Sequence, residues 1–132
     1  NYCVDAGGDM VYKGKNPIRV GLENPWNMQE MLGVYTLRNG SICGSSGSRR
    51  AWGNFTHIIN PLTKTSPTTI MATWVAAPNA FVADMLATCL FFVGPTELTG
   101  HEFEYCILKS DRSIEKSTNF SDEMFSFLIS RK

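Results

Sequence analysis

The sequence predicts an all-β domain, an eight-stranded antiparallel up-and-down β-barrel covering residues 1–132. Three observations predict it. Turn signals recur at short intervals, from Ala6-Gly7-Gly8 and Asn16-Pro17 through Asn39-Gly40 and Asn60-Pro61 to Gly94-Pro95. The short runs between them are rich in β-branched and aromatic residues, and several alternate apolar and polar positions as half-buried strands do. A small closed barrel leaves no unpaired edge, and its interior is packed solid or holds one small ligand.

Taken in order, strands are expected near Asp9–Lys13, Ile18–Leu22, Met31–Leu37, Arg50–Ile58, Thr68–Ala76, Ala80–Val93, Glu97–Lys109 and Phe120–Arg131. In the seventh, Phe103, Tyr105 and Ile107 share one face, while Glu102, Glu104, Cys106 and Leu108 share the other. The eighth also fits a helical stripe through Phe120, Met124, Phe125, Phe127 and Leu128. Gly44–Ser48 reads as a flexible loop. The 24 residues Ile70–Val93 carry a single charge, Asp84, and are long enough to cross a bilayer as a helix. Pro78-Asn79 interrupts them and Asp84 would lie deep in hydrocarbon, so two buried strands joined by a turn are the better reading and no membrane insertion is expected.

Composition narrows the function classes. Twelve Lys plus Arg balance twelve Asp plus Glu, so the basic surface of a nucleic-acid binder is missing. Charged residues make up 18% and hydrophobic residues 43%, enough apolar surface for one core. Four cysteines and three glycosylation-type triplets, beginning at Asn39, Asn54 and Asn119, point to a secreted, disulfide-bonded glycoprotein. Asn1 in place of Met suggests a leader already removed. His57 and His101 sit alone, and no metal-ligand, nucleophile-elbow or phosphate-loop spacing is present, so neither metal nor cofactor is expected and the protein reads as a non-enzyme. Asp111, Glu115, Asp122 and Glu123 read as a solvated acidic edge.

Scattered positions across nearly the whole chain resemble the avidin and streptavidin family. These are Cys3 with Gly7-Gly8, Gly14–Gly21, Leu32-Gly33-Val34-Tyr35, Trp52–Phe55 with Trp74, Cys89, Ile107–Ser110, and Phe120 onward. The resemblance implies an eight-stranded barrel with a ligand pocket at one mouth, a homo-oligomer (dimer or tetramer), and a Cys3–Cys89 disulfide. It places Tyr12, Lys15, Tyr35, Leu37, Trp74, Phe81, Met85 and Phe127 at the pocket, and Phe120 where a neighbouring subunit meets it. Most polar biotin contacts are replaced there: Tyr12 stands for an Asn, Lys15 for a Ser, and Phe127 for an Asp or Asn. Each lost partner of a buried ureido group costs about 1–3 kcal/mol, so tight biotin binding is not expected. With Cys3–Cys89 formed, Cys43 and Cys106 would pair and tie the Arg38–Arg49 loop into the pocket mouth.

The function expected from these residues is an extracellular, avidin-like, oligomeric binding protein whose barrel holds a small ligand. The competing expectations are a structural, adhesive or protein-interaction component with a filled barrel, and a lipocalin-like carrier of hydrophobic ligands.

Overall fold

A computed structural model describes residues 1–120 and 122–124. Its elements are β1 (Tyr2–Asp5), β2 (Asp9–Lys13), β3 (Ile18–Glu23), β4 (Met31–Leu37), β5 (Gly40–Ser46), β6 (Ala51–Trp52), β7 (Phe55–Thr56), β8 (Ile70–Ala77), α1 (Ala80–Cys89), a 3-10 turn at Pro95–Glu97, β9 (Glu104–Lys109), β10 (Ile114–Lys116) and β11 (Asp122–Met124). Six strands form one antiparallel sheet in the order β1-β2-β5-β8-β9-β10. Three more form a second sheet, β11-β4-β3, and β6 with β7 makes a small ribbon.

This is not a barrel. The large sheet is open among the described residues, with β1 and β10 as its edges. The small sheet covers one face and α1 covers the other. The expected closed cylinder fails on the segment after β8, which does not return as a strand. Asn79 has an extended backbone, and its side chain accepts a hydrogen bond from the Val82 N–H at 3.0 Å, capping the helix that follows. Ala83, Leu86, Ala87 and Leu90 then fall at helical spacing and are all buried. Alanine and leucine favour helix, and Pro78-Asn79 acts as a helix start rather than a hairpin turn.

β8 explains the long apolar run. It pairs with β5 on one side and β9 on the other, and both of its faces are covered. Ala72, Trp74 and Ala76 point into the core between the sheets, beside Leu22, Leu32 and Leu108. Val75 and Ala77 point to the core under α1, beside Leu86 and Ile107. The fully buried Thr73 hydroxyl donates to the Ala87 carbonyl at 2.6 Å and pins the last helical turn to the sheet.

β5 arises where a flexible loop was expected. Its Gly- and Ser-rich residues become a strand because β2 and β8 flank them and satisfy their backbone groups. The two disulfides are also corrected. None of the four cysteines is disulfide-bonded. Cys43 lies in the core under α1 and Cys106 in the core between the sheets, on opposite faces with β8 between them. Cys3 sits exposed on the edge strand β1, while Cys89 ends α1. Among the described residues no helix is long and apolar enough to cross a membrane.

Candidate functional site

The residues expected to line one pocket are dispersed. Tyr12, Tyr35, Leu37, Trp74 and Phe120 do meet, but as parts of the packed core between the sheets. The Tyr35 hydroxyl donates to Glu104 at 2.9 Å and its ring lies 4.6 Å from that of Phe120. Burial, then the Glu104 carboxylate, raises the Tyr35 pKa, so this phenol stays protonated. The Tyr12 hydroxyl donates to the Asn16 carbonyl. Phe81 and Met85 go to α1, on the opposite face of the large sheet, with Phe81 79% exposed. Lys15 is exposed in the turn between β2 and β3, and Phe127 lies outside the described residues. Of the three triplet asparagines, Asn39 accepts a hydrogen bond from the Gly14 N–H at 3.0 Å, and Asn54 and Asn119 are exposed.

Tyr35 and Leu37 also border a hollow beside Glu104 and Pro78, and Trp74 borders a different one. A cleft of about 190 Å³ opens between the two sheets where β5 leads into the Gly47–Arg50 segment. Met10, Val20, Ile42, Ala72 and Trp74 form its apolar walls, and Gly44, Ser45 and Ser46 border it. The indole packs closely against Gly44: a Cβ added there would come 3.0 Å from Trp74 Cδ1. A side chain at this position would have to push the indole aside by a few tenths of an ångström.

Beside the cleft, an oxygen-rich ridge crosses to the helix side of the sheet. The Ser45 hydroxyl lies 3.4 Å from that of Thr88, and Asp84 stands one helical turn before Thr88 on α1. Asp9, at the start of β2, is near enough that, after burial, its charge raises the Asp84 pKa. Asp9 is paired in register with Cys43 of β5. The Cys43 thiol is pushed up to about 12, first by burial and then by Asp9, and so remains a neutral core group. Among the described residues no three His, Cys, Asp or Glu side chains converge as a metal site. Two carboxylates with two hydroxyls are nevertheless the hard oxygen donors that suit a divalent cation sharing phosphate ligands.

A strand over Ala80–Val93, as the sequence reading has it, hides this ridge, because it does not bring Asp84 and Thr88 together as a helix does. The available signal was the Asn79 cap followed by apolar residues at helical spacing, which puts Asp84 and Thr88 four apart on one exposed face. His57 has no partner motif in the sequence. It is exposed just past β7, its N–H donates to the Arg50 carbonyl at 3.0 Å, and the neighbouring Thr56 packs against Gly47 of the segment that follows β5. His57 thus adjoins the Gly47–Arg50 segment through its backbone.

An open antiparallel sheet layered between a small sheet and a helix, with a cleft at one sheet end, is a different class of protein from an avidin-like barrel. The chain belongs to the ApbE family, whose model matches residues 1–102. Among solved structures it is similar to the ApbE protein of Thermotoga maritima, at 23% identity and a TM-score of 0.76, covering 89% of this chain and 42% of that one. It is similar also to the flavin transferase ApbE of Vibrio cholerae, at 22% identity and a TM-score of 0.70, covering 91% of this chain and 43% of that one. A histidine-to-glycine mutant of the Vibrio protein matches with a TM-score of 0.64. The chain therefore spans less than half the length of these relatives. No curated protein matches the sequence.

These findings overturn the avidin resemblance and the functional expectations built on a barrel: the ligand-binding barrel, the filled structural barrel and the lipocalin-like carrier. They overturn the non-enzyme reading as well, since the Vibrio cholerae protein that carries the family's name is a flavin transferase, an enzyme. A small-molecule partner remains in keeping with that activity.

Proposed function

We propose that this chain forms part of a flavin transferase, holding a flavin nucleotide for transfer of its flavin-bearing portion to an acceptor. The family match over residues 1–102 carries this reading, because it takes in Asp9, Ser45, His57, Asp84 and Thr88 together. The chemistry of these groups supports it. A flavin nucleotide brings phosphate charge, which two carboxylates on one ridge repel unless a cation lies between them. Asp9 and Asp84 supply carboxylate donors for a divalent cation, with Ser45 and Thr88 hydroxyls beside them. Such a cation, when bound, neutralises phosphate oxygens. Ser45 orients the phosphate end by hydrogen bonding, and the apolar cleft next to it excludes water from one ring. His57, exposed beside the Gly47–Arg50 segment, is the group placed to accept a proton from an attacking acceptor hydroxyl.

The test is titration of the whole protein with flavin adenine dinucleotide, with and without Mg²⁺, followed by flavin fluorescence. Saturable, Mg²⁺-dependent binding that weakens at least tenfold in Asp84→Asn is expected. Absence of saturable binding, or binding indifferent to both Mg²⁺ and Asp84, overturns the reading.

A further inference from the structure

Between Glu30 and Asp84 the sequence has no acidic residue, while Arg38, Arg49, Arg50 and Lys64 fall in that stretch. The whole chain is neutral, so positive charge is concentrated here and offset elsewhere. Within the stretch, the β6–β7 ribbon is a hairpin turning at Gly53-Asn54, with Gly53 at φ 58°. Trp52 and Phe55 are paired in register, so their side chains stand on the same face of the ribbon. They are 64% and 49% exposed. A second turn follows at Asn60–Thr65, and its Leu62 is 90% exposed.

Both turns are held by hydrogen bonds rather than left loose. The Thr56 N–H donates to Ser66 Oγ at 2.8 Å, and the His57 N–H donates to the Arg50 carbonyl at 3.0 Å. In the second turn the Leu62 N–H donates to Asn60 Oδ1 at 2.9 Å and the Lys64 N–H to the Asn60 carbonyl at 2.7 Å. Apolar side chains presented from such turns lose little backbone freedom on binding. Each turn also carries a cation: Arg50 precedes the ribbon, and Lys64 lies two residues past Leu62. Both are exposed, and among the described residues neither forms an ion pair, whereas Arg49 is tied to Glu23 at 2.8 Å.

The composition selects the partner. Indole settles where water meets lipid, with its N–H among headgroups and its ring towards the acyl chains, and cations are drawn to anionic phosphates beside it. A single-stranded nucleic acid would use the cations and stack bases on the rings, yet it has no use for an aliphatic Leu62. A bilayer takes aromatic and aliphatic side chains alike.

We infer that the β6–β7 ribbon and the Leu62 turn dock this domain on a bilayer rich in anionic lipid. Trp52, Phe55 and Leu62 enter the interface to a depth of about 5–10 Å, and Arg50 and Lys64 meet the headgroups. The domain lies on the membrane and does not span it. This inference stands apart from the flavin-transfer reading.

Co-sedimentation of the whole protein with vesicles of phosphatidylcholine, or of phosphatidylcholine and phosphatidylglycerol mixed, reads the partition. Partition into the anionic vesicles is expected to be at least tenfold stronger than into the neutral ones, and to fall in about 0.5 M NaCl. The double variant Trp52→Ser, Phe55→Ser should weaken it at least tenfold, and Arg50→Gln or Lys64→Gln about fivefold each. Phe81→Ser removes another exposed aromatic, on α1, and should leave partition within about twofold. Circular dichroism checks that each variant keeps its fold. Absence of partition into the anionic vesicles overturns the inference in favour of a protein partner for the ribbon. Equal partition into both vesicles overturns the role of charge, and a loss in Phe81→Ser as large as in the ribbon variant overturns the assignment to the ribbon.

Discussion

Thr73→Val tests the link between sheet and helix most sharply. Valine keeps the shape of threonine and removes only the hydroxyl that donates to the Ala87 carbonyl at 2.6 Å. That carbonyl lies in the last turn of α1, where the next N–H groups turn elsewhere: Phe91 donates to Thr88 and Val93 to Cys89. Carbonyls at a helix end lack helical partners, and this one belongs to a fully buried residue. Leaving it unsatisfied costs about 1–3 kcal/mol. A central value of about 2 kcal/mol lowers the folding constant roughly 30-fold and the Tm by about 8 °C for a domain of this size. Thr73→Ser is the control, since it keeps the donor and loses one buried methyl, worth about 1 kcal/mol. Urea unfolding monitored by circular dichroism measures both. Valine is expected to be the more damaging of the two. A serine variant less stable than the valine variant, or a valine loss under about 0.5 kcal/mol, refutes the role assigned to the hydroxyl.

Three further outcomes are expected. Asn79→Ala removes the cap on Val82 and should cost about 1 kcal/mol in the same assay, whereas Asn79→Asp should retain most of it. Asp84 has a raised pKa in the folded chain, first from burial and then from Asp9, so its contribution to stability is present in acid and is lost as pH rises through that raised value. In EDTA, the Tm of Asp84→Asn relative to the unsubstituted protein should therefore climb as the pH rises above the ordinary carboxylate range, and a flat difference would count against a raised Asp84 pKa. His57→Ala should leave flavin binding within about twofold while slowing transfer by about 10² to 10⁴, measured as covalent flavin fluorescence in a denaturing gel. Equal losses in binding and transfer would assign His57 to substrate holding instead.

Much of the local structure could be read from residue patterns. Met31–Leu37 alternates and is flanked by turns, and β4 has those same bounds. Asp9–Lys13 likewise coincides with β2. What pattern could not supply was partner identity. Gly40–Ser46 has little intrinsic preference for a strand, and becomes one only because two neighbours bond to it, a tertiary effect. The Ala80–Cys89 helix was within reach, through its cap and the spacing of Ala83, Leu86, Ala87 and Leu90, but a strand assignment matched the expectation of closure. That one misassignment removed Asp84 and Thr88 from view, and with them the oxygen-rich ridge. The resemblance to avidin rested on common residues such as Gly, Tyr and Trp at loosely spaced positions, whose burial has the same cause in any β core. Cysteine count misled for a related reason: evenness says nothing about which face of a sheet each thiol occupies.

The position of β8 between two separate apolar clusters bears on how the molecule comes apart. Neither cluster can dissolve while the other persists, because the strand that lines one lines the other through its alternate residues. Melting should accordingly register as one concerted event, with amides of Ala72–Ala77 exchanging their hydrogens only on complete unfolding and those of the β6–β7 ribbon exchanging far sooner.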